Sequence, residues 1–285
     1  MSAREYYRLA KPGIVYGNVF TTIAAFLFAA HLHVTIVLFA ATIVGIGLVI
    51  ASACVFNNCL DRDMDAKMER TARRALVTGV ITMRSALVYG VLLGLVGFAL
   101  LYIYVNTLTA GLALFGFALY VGPYTSLKRT SAWAAVIGAI PGAVPIVVGY
   151  TAVTDRLDGV AYILFIILAL WQLPHFYAIA IRRLEEYSAA GIPVLPARKG
   201  IAATKMHIVA SIVLYIVATS ALFLYGYAGY TYLALTLVIG LAWLVQSIRG
   251  YRTLEPAKWA RRLFLFSLIV LVSFCAILAV SPVLP

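Results

Sequence analysis

The chain has 285 residues and a mass of 30.9 kDa; 64% of its residues are apolar, 11% are charged, and the mean hydropathy is +1.00. Soluble proteins are roughly 45–50% apolar and about 25% charged, so this composition excludes a water-soluble globule and indicates a membrane protein. The three cysteines, Cys54, Cys59 and Cys275, are too few and too apolar in setting for a disulfide scaffold. The net charge of +12 is explained below by where the basic residues lie in the sequence.

Apolar stretches long enough to cross a bilayer recur along the whole chain. A spanning α-helix needs about 20 apolar residues. Runs such as Val91–Val105 are apolar on every side, which the strands of a membrane β-barrel are not. We therefore predict an all-α polytopic membrane protein in one domain, residues 1–285. The nine predicted spans are 14–30, 34–57, 82–105, 107–125, 133–153, 159–181, 206–226, 229–248 and 263–281.

The basic residues lie almost entirely in the loops of one side. With nine spans, 21 of the 22 Lys and Arg residues fall on the side of the N-terminus, and Arg156 lies opposite. Because positively charged loops stay in the cytoplasm, this pattern predicts a cytoplasmic N-terminus and an external C-terminus. The same pattern accounts for the net charge, so nucleic acid is not an expected partner.

Three acids, Asp61, Asp63 and Asp65, cluster at the cytoplasmic end of the second span. Asn57, Asp61 and Asp65 recur every four residues, so a helix that continues past the membrane edge carries them on one face. Such oxygens suit Mg²⁺, which takes one or two protein carboxylates and completes its shell with water and substrate phosphates. The three residues are candidate metal ligands and catalytic residues. A solvated helix end is the alternative, but acids at the edge of a lipid-embedded helix are costly and usually functional.

Cationic side chains follow this motif and recur on the same side of the membrane. They would hold a diphosphate and neutralise the charge that develops as it leaves, or they mark only the topology. The run after the motif also includes Arg73 and Arg74. The candidate substrate-binding cations are Arg62, Lys67, Arg70, Lys128, Arg129, Arg182 and Arg183.

A second acidic pair, Glu185 and Glu186, has two interpretations. It forms either a surface ion-pair cluster or a second Mg²⁺ position.

Two aromatic features stand out in the apolar spans. Tyr120 and Tyr124 lie one helical turn apart on the fourth span, where their ring faces would shield and stabilise an allylic cation; the alternative is an interfacial tyrosine belt. His175 lies well inside an apolar span, next to Pro174, which removes a helical hydrogen bond. It is either a structural histidine or a binding contact for a planar, cofactor-like substrate such as haem.

These segments resemble the UbiA-type intramembrane prenyltransferases, whose first acidic signature is Asn-x-x-x-Asp-x-x-x-Asp, and within that family the haem O synthase branch. Phe56–Leu76, Tyr124–Arg129 and Trp171–Gly200 carry the resemblance. It implies a nine-helix bundle around a central cavity, Mg²⁺ dependence, and transfer of farnesyl from farnesyl diphosphate to the vinyl group of haem B. It also implies a bacterial cytoplasmic (inner) membrane, with haem A synthase or terminal oxidase assembly as possible partners.

One departure from the family pattern bears on the acceptor. Many members carry a second Asp-x-x-x-Asp after the sixth span, where this chain reads Ile-Arg-Arg-Leu-Glu-Glu from Ile181. The cations Arg182 and Arg183 would suit a dianionic porphyrin. Prenyl transfer to a quinone-precursor or chlorophyll-like ring stays open, as does a haem-delivery scaffold. A transporter is disfavoured, because its ionisable residues would lie near the bilayer midplane rather than at one edge.

Overall fold

The computed structural model describes residues 3–285, and all regular structure among them is helical. Nine of the helices in this part of the chain are long and apolar enough to cross a membrane, which confirms the predicted all-α architecture. The α-helices are α1 (Ala3–Leu9), α2 (Pro12–Ala29), α3 (Ile36–Asp65), α4 (Met83–Tyr104), α5 (Thr107–Leu119), α6 (Thr125–Leu127), α7 (Ala134–Thr154), α8 (Gly159–Arg182), α9 (Leu184–Ala189), α10 (Leu195–Leu224), α11 (Tyr230–Ile248) and α12 (Pro256–Val280). Short π- or 3₁₀-helical turns cover Tyr120–Tyr124, Arg249–Arg252 and Ser281–Val283.

Each predicted span coincides with one spanning helix, and the largest differences occur at helix ends near basic residues. Helix α3 continues to Asp65, α10 begins at Leu195, and α12 begins at Pro256. Apolar length marks only the part of a helix that lies in lipid, whereas these helices continue into polar surroundings. In α10, Gly200 has a φ of 80°, so a separate helical turn precedes the spanning part.

Local sequence chemistry accounts for several of the helix starts. The side chain of Asp158 accepts hydrogen bonds from the first amides of α8, beginning with Val160 at 3.1 Å. Asn106 and Thr82 cap α5 and α4 in the same way. Pro12 occupies the first turn of α2, where its missing N–H has no helical partner to lose. These caps satisfy backbone groups that would otherwise be left without partners at the helix ends.

The nine spanning helices form a closed circle. They are α2, α3, α4, α5 together with the π-helical turn and α6, α7, α8, α10, α11 and α12. Each packs against the next spanning helix along the chain, and the last, α12, packs against the first, α2. Helix α7 also packs against α2 and α3, and it is the most buried of the nine. Its small residues permit this position, because a Cβ at Gly149 would collide with the backbone of Thr22. The circle brings residues distant in sequence to the interior of one bundle.

Helices α3 and α4 approach each other almost backbone to backbone. A Cβ at Gly97 would lie 2.8 Å from the carbonyl oxygen of Gly45 and 2.9 Å from Val49. Further along the same seam, Ser52 Oγ donates a hydrogen bond to the carbonyl of Gly90 at 2.7 Å. Small residues at such crossings allow the close van der Waals packing on which membrane helices depend. This seam fixes α3, which carries the acidic motif.

We expect Gly97→Ala to lower the stability of the protein, because the added methyl group overpacks this seam at a cost of about 1–3 kcal/mol. Gly111→Ala in α5 is the matched control, since nothing lies within 4 Å of a Cβ there. The measurement is the midpoint of thermal unfolding of each purified variant in detergent. Equal midpoints for the two variants would contradict such close packing of α3 against α4.

Candidate active site

The polar end of α3 forms one wall of a cavity of about 350 Å³, which we name the polar cavity. Asn57, Asp61 and Asp65 all line it and are 2%, 4% and 3% exposed. Arg62 and Asp63, which lie between them in sequence, are exposed. The four-residue spacing therefore places the three oxygen-bearing side chains on one buried face, as the sequence predicts.

Each buried carboxylate of the polar cavity has a cation beside it. Lys128 Nζ donates a hydrogen bond to Asp61 Oδ2, and Arg129 Nη2 lies 3.6 Å from the other oxygen of the same carboxylate. Arg74 Nη1 donates to Asp65 Oδ2 at 2.5 Å. Burial lowers the pKa of Lys128, although the adjacent carboxylate of Asp61 opposes the shift. These pairs supply the counter-charge that buried acids need.

Lys11 is a further cation that lines the polar cavity, although its place in the sequence indicates only topology. Its Nζ donates a hydrogen bond to Asn57 Oδ1 at 2.7 Å. The residue has φ 53° and ψ 64°, a left-handed conformation that turns the chain between α1 and α2. Burial lowers the pKa of Lys11 to about 8. A residue with a left-handed backbone whose partly buried ammonium lines a cavity is typical of a functional site.

The donor set of the polar cavity fits Mg²⁺. Within residues 3–285, no group of three or more His, Cys, Asp and Glu is arranged to hold a metal by itself. Asp61 Oδ1 is buried and has no hydrogen-bond partner, so it retains a free lone pair. Two carboxylates and one amide oxygen leave the other coordination positions to water and phosphate oxygens, which is how proteins usually bind Mg²⁺.

A second cavity, of about 340 Å³, lies further along α3 and is lined mostly by apolar side chains; we name it the apolar cavity. Helix α3 contributes residues between 46 and 54 to its wall. Ile14, Tyr120, Tyr124 and Phe176 line both cavities. The two cavities therefore meet at a boundary of four apolar and aromatic side chains.

The tyrosine pair at this boundary lies on a π-helical turn. The rings of Tyr120 and Tyr124 are stacked, with centroids 5.4 Å apart and planes inclined by 24°. The turn contains Pro123, and the ring of Tyr124 packs onto Gly138, where a Cβ would lie 2.5 Å from it. The sequence predicts the shared face of the two tyrosines but not the π-helical turn. Single π-helical turns are frequent at functional sites.

His175 lies on the wall of the apolar cavity, in an aromatic setting. Its ring stacks on Trp171 with centroids 5.0 Å apart, and the Phe264 centroid is 4.7 Å away. Ser267 Oγ donates to the carbonyl of Phe264 at 2.6 Å, so it accepts a hydrogen bond from His175 Nδ1 at 2.8 Å. In the neutral ring, Nε2 then carries the free lone pair. Helix α8 continues through Pro174 without ending there.

The structure separates the predicted cations into two groups. Arg70 lines the polar cavity with its Nε 3.7 Å from Glu186, which also pairs with Arg183 at 2.8 Å. Glu186 is therefore an ion-pair partner of two arginines, as the surface-cluster interpretation predicts. Four predicted cations are exposed and line neither cavity, because they lie off the buried face of their helix or beyond its end: Arg62, Lys67, Arg129 and Arg182. Of these, Arg129 still reaches Asp61, with Nη2 3.6 Å from Oδ1.

Residues 18–269 match the UbiA prenyltransferase family, and the chain belongs to that family. Its curated relatives include the protoheme IX farnesyltransferase of Pectobacterium carotovorum, which is 48% identical over 284 residues, 99% of this chain and 96% of the relative. Protoheme IX farnesyltransferase 2 of Chromobacterium violaceum is 48% identical over 283 residues, 99% of this chain and 94% of the relative. The resemblance stated from the sequence is confirmed.

Solved structures of other membrane proteins share the fold. A digeranylgeranylglyceryl phosphate synthase superimposes with a TM-score of 0.81 at 16% identity, over 98% of both chains. A UbiA homologue from Archaeoglobus fulgidus bound to GPP and Mg²⁺ gives a TM-score of 0.71 at 16% identity, over 96% of this chain and 99% of that one. At this level of identity the likeness is one of fold.

Proposed function

We propose that this protein transfers the farnesyl group of farnesyl diphosphate to the vinyl group of haem B, which yields haem O and diphosphate. The observation that carries the proposal is a cavity lined by acids and cations that meets an apolar cavity at a stacked tyrosine pair. This division suits a substrate with a charged head and an apolar chain. The relatives named protoheme IX farnesyltransferase, at 48% identity, support haem B as the acceptor.

The polar cavity is the proposed site of the diphosphate. Asn57, Asp61 and Asp65 would hold Mg²⁺, which would bridge diphosphate oxygens and neutralise their charge when bound. A UbiA homologue bound to GPP and Mg²⁺ supports this cofactor. Asp61, whose Oδ1 has no hydrogen-bond partner, and Asn57 both line this cavity.

The cations already present in the polar cavity would bind the diphosphate directly. Lys11, Arg74 and Lys128 donate hydrogen bonds to protein oxygens in this structure, and each has an ammonium or guanidinium group that a diphosphate oxygen can share. Arg70 and Arg129 lie beside them. As the leaving group gains negative charge, these fixed positive charges stabilise it in surroundings where water is scarce.

The chemistry needs no covalent intermediate with the protein. The bond between farnesyl C1 and the bridging oxygen breaks, and its electron pair leaves with the diphosphate. The vinyl π electrons of haem B then form a carbon–carbon bond to the allylic cation. Water adds to the resulting carbocation beside the porphyrin and loses a proton, which gives a hydroxyethylfarnesyl group. Tyr120 and Tyr124 would face the allylic cation and stabilise it by cation–π attraction.

The acceptor is proposed to approach from the apolar cavity. His175 lines that cavity, and its Nε2 carries a free lone pair. This nitrogen can coordinate haem iron or orient the macrocycle. A polyprenyl chain offers this nitrogen no partner. His175 therefore belongs to the acceptor side of the proposed reaction.

The decisive experiment incubates purified protein with Mg²⁺, farnesyl diphosphate and haem B, and analyses the extracted haem by mass spectrometry. We expect a mass increase equal to one farnesyl group plus one hydroxyl group, because the added water loses a proton. Asp61→Ala and Asp65→Ala should each reduce the rate by at least about 100-fold, because each removes a proposed metal ligand. Asp63→Ala is the matched control, since this acid of the same motif is exposed and outside the cavity.

Three results would count against this assignment. An unmodified haem alongside a prenylated quinone precursor would identify a different acceptor. Near-normal rates in Asp61→Ala or Asp65→Ala at saturating Mg²⁺ would exclude them as metal ligands. A loss in Asp63→Ala equal to that in the other two variants would indicate a general effect of charge.

We expect His175→Ala to raise the KM for haem B by about 10-fold, the size of one lost polar contact. The KM for farnesyl diphosphate should stay within about twofold of wild type, because the residue lies outside the polar cavity. His207→Ala serves as control, since its ring packs edge-on against Trp133 and lines neither cavity. A selective loss of farnesyl diphosphate affinity in His175→Ala would reverse the assignment.

The proposed orientation places the polar cavity at the cytoplasmic face of a bacterial inner membrane. It rests on the loop charges, of which 21 of 22 basic residues lie on one side. Farnesyl diphosphate is charged and soluble in the cytosol, so it would reach the polar cavity without crossing the bilayer.

Single cysteines at Glu69, Gly191 and Asp155 test this orientation, since all three positions are exposed. A membrane-impermeant maleimide should label Asp155→Cys in intact cells. It should label Glu69→Cys and Gly191→Cys only after the membrane has been permeabilised. Background labelling should be low because Cys54, Cys59 and Cys275 are buried. Labelling in the opposite pattern would invert the topology.

A further inference from the structure

A chain of hydrogen bonds links the Asn57 amide to the turn that carries the tyrosine pair. Thr125 Oγ1 donates to the carbonyl of Tyr120 at 2.8 Å, and Asn57 Nδ2 donates to Thr125 Oγ1 at 2.9 Å. At the other end, Lys11 Nζ donates to Asn57 Oδ1 at 2.7 Å. Thr125 and Asn57 are 3% and 2% exposed, so water does not compete for these bonds.

The chemistry of the donors fixes the direction of this chain. A carbonyl only accepts, so the single hydroxyl hydrogen of Thr125 is used on Tyr120, and its oxygen is left as an acceptor. Asn57 must therefore present its NH₂ group to Thr125 and its oxygen to the opposite side. The ammonium of Lys11, which only donates, meets that oxygen there. Both ends require the same orientation of the amide.

The orientation matters because only one end of an amide binds a cation. The oxygen of Asn57 is a metal ligand, whereas the NH₂ group in its place would repel the metal. We propose that Thr125 is a positioning residue that holds the Asn57 oxygen toward the polar cavity and thereby raises its affinity for Mg²⁺ and diphosphate. The inference rests on the proposed function, because it takes Asn57 as a ligand of that metal.

The same hydroxyl couples the two cavities. Thr125 directly follows the π-helical turn Tyr120–Tyr124, and its bond to the Tyr120 carbonyl anchors the start of that turn. The bond from Asn57 anchors α3 to the same atom. The proposed metal ligand and the tyrosine pair are thus held at a fixed separation. Partners of this kind orient a ligand without touching the metal.

The test measures metal binding without turnover. Mn²⁺ is titrated into purified protein with inorganic diphosphate, and free Mn²⁺ is followed by electron paramagnetic resonance. Thr125→Val keeps the shape of the side chain and removes both hydrogen bonds, so it should weaken Mn²⁺ binding by about 10- to 100-fold. Thr125→Ser keeps the hydroxyl and should bind within about threefold of wild type. Thr109→Val is the matched control, because this buried hydroxyl pairs with that of Thr151 and lines neither cavity.

A double-mutant cycle separates positioning from general stability. In the Asn57→Ala background, adding Thr125→Val should not change Mn²⁺ affinity further, because Thr125 acts through the Asn57 amide. A further loss in that background would overturn the inference, as would wild-type affinity in Thr125→Val. If Thr125→Val does not fold, Thr125→Ala is titrated in its place, with the same expectation and the same contradicting result.

The binding measurement also separates this inference from the proposed function. A wild-type protein that does not bind Mn²⁺ with diphosphate overturns the role of Thr125. A wild-type protein that binds both, loses affinity in Thr125→Val, and forms no farnesylated haem supports the role of Thr125 and refutes the proposed acceptor.

Discussion

Two carboxylates buried at the end of an apolar helix require positive charge beside them. The side chains of Asp61 and Asp65 are each 5% exposed, and an uncompensated charge in such surroundings costs several kcal/mol. Their partners, Lys128 and Arg74, come from two different loops, and both loops must fold over the end of α3 to reach them. Charge balance at one helix end therefore organises the polar cavity around it.

The boundary between the polar cavity and the apolar cavity is where the proposed reaction would take place. In a prenyl diphosphate, the bond that breaks joins the charged head to the apolar chain, so it belongs where the two cavities meet. Tyr120 and Tyr124 line both cavities, and in the proposed reaction their ring faces would supply the electron-rich surface that an allylic cation requires. Binding each end of the substrate in its preferred surroundings would hold the reacting carbon between the tyrosines.

Periodicity predicts the parts of this molecule that one helix determines by itself. The nine spans follow from apolar length, and the buried face of Asn57, Asp61 and Asp65 follows from a spacing of four residues. The partners of these residues depend on how loops fold in three dimensions, so Arg74 and Lys11 line the polar cavity where the sequence predicts Arg62 and Lys67. Nothing in a linear pattern indicates the left-handed turn at Lys11.

The closed circle of helices has a consequence for biosynthesis. The ion pairs of Asp61 and Asp65 and the bond from Lys11 to Asn57 all lie between Lys11 and Arg129, so these contacts can form once the first four spans have left the ribosome. The setting of His175 is different, because Phe264 and Ser267 belong to α12, the last span to be made. A nascent chain would thus assemble the charged wall of the polar cavity early and the wall around His175 only when α12 closes against α2.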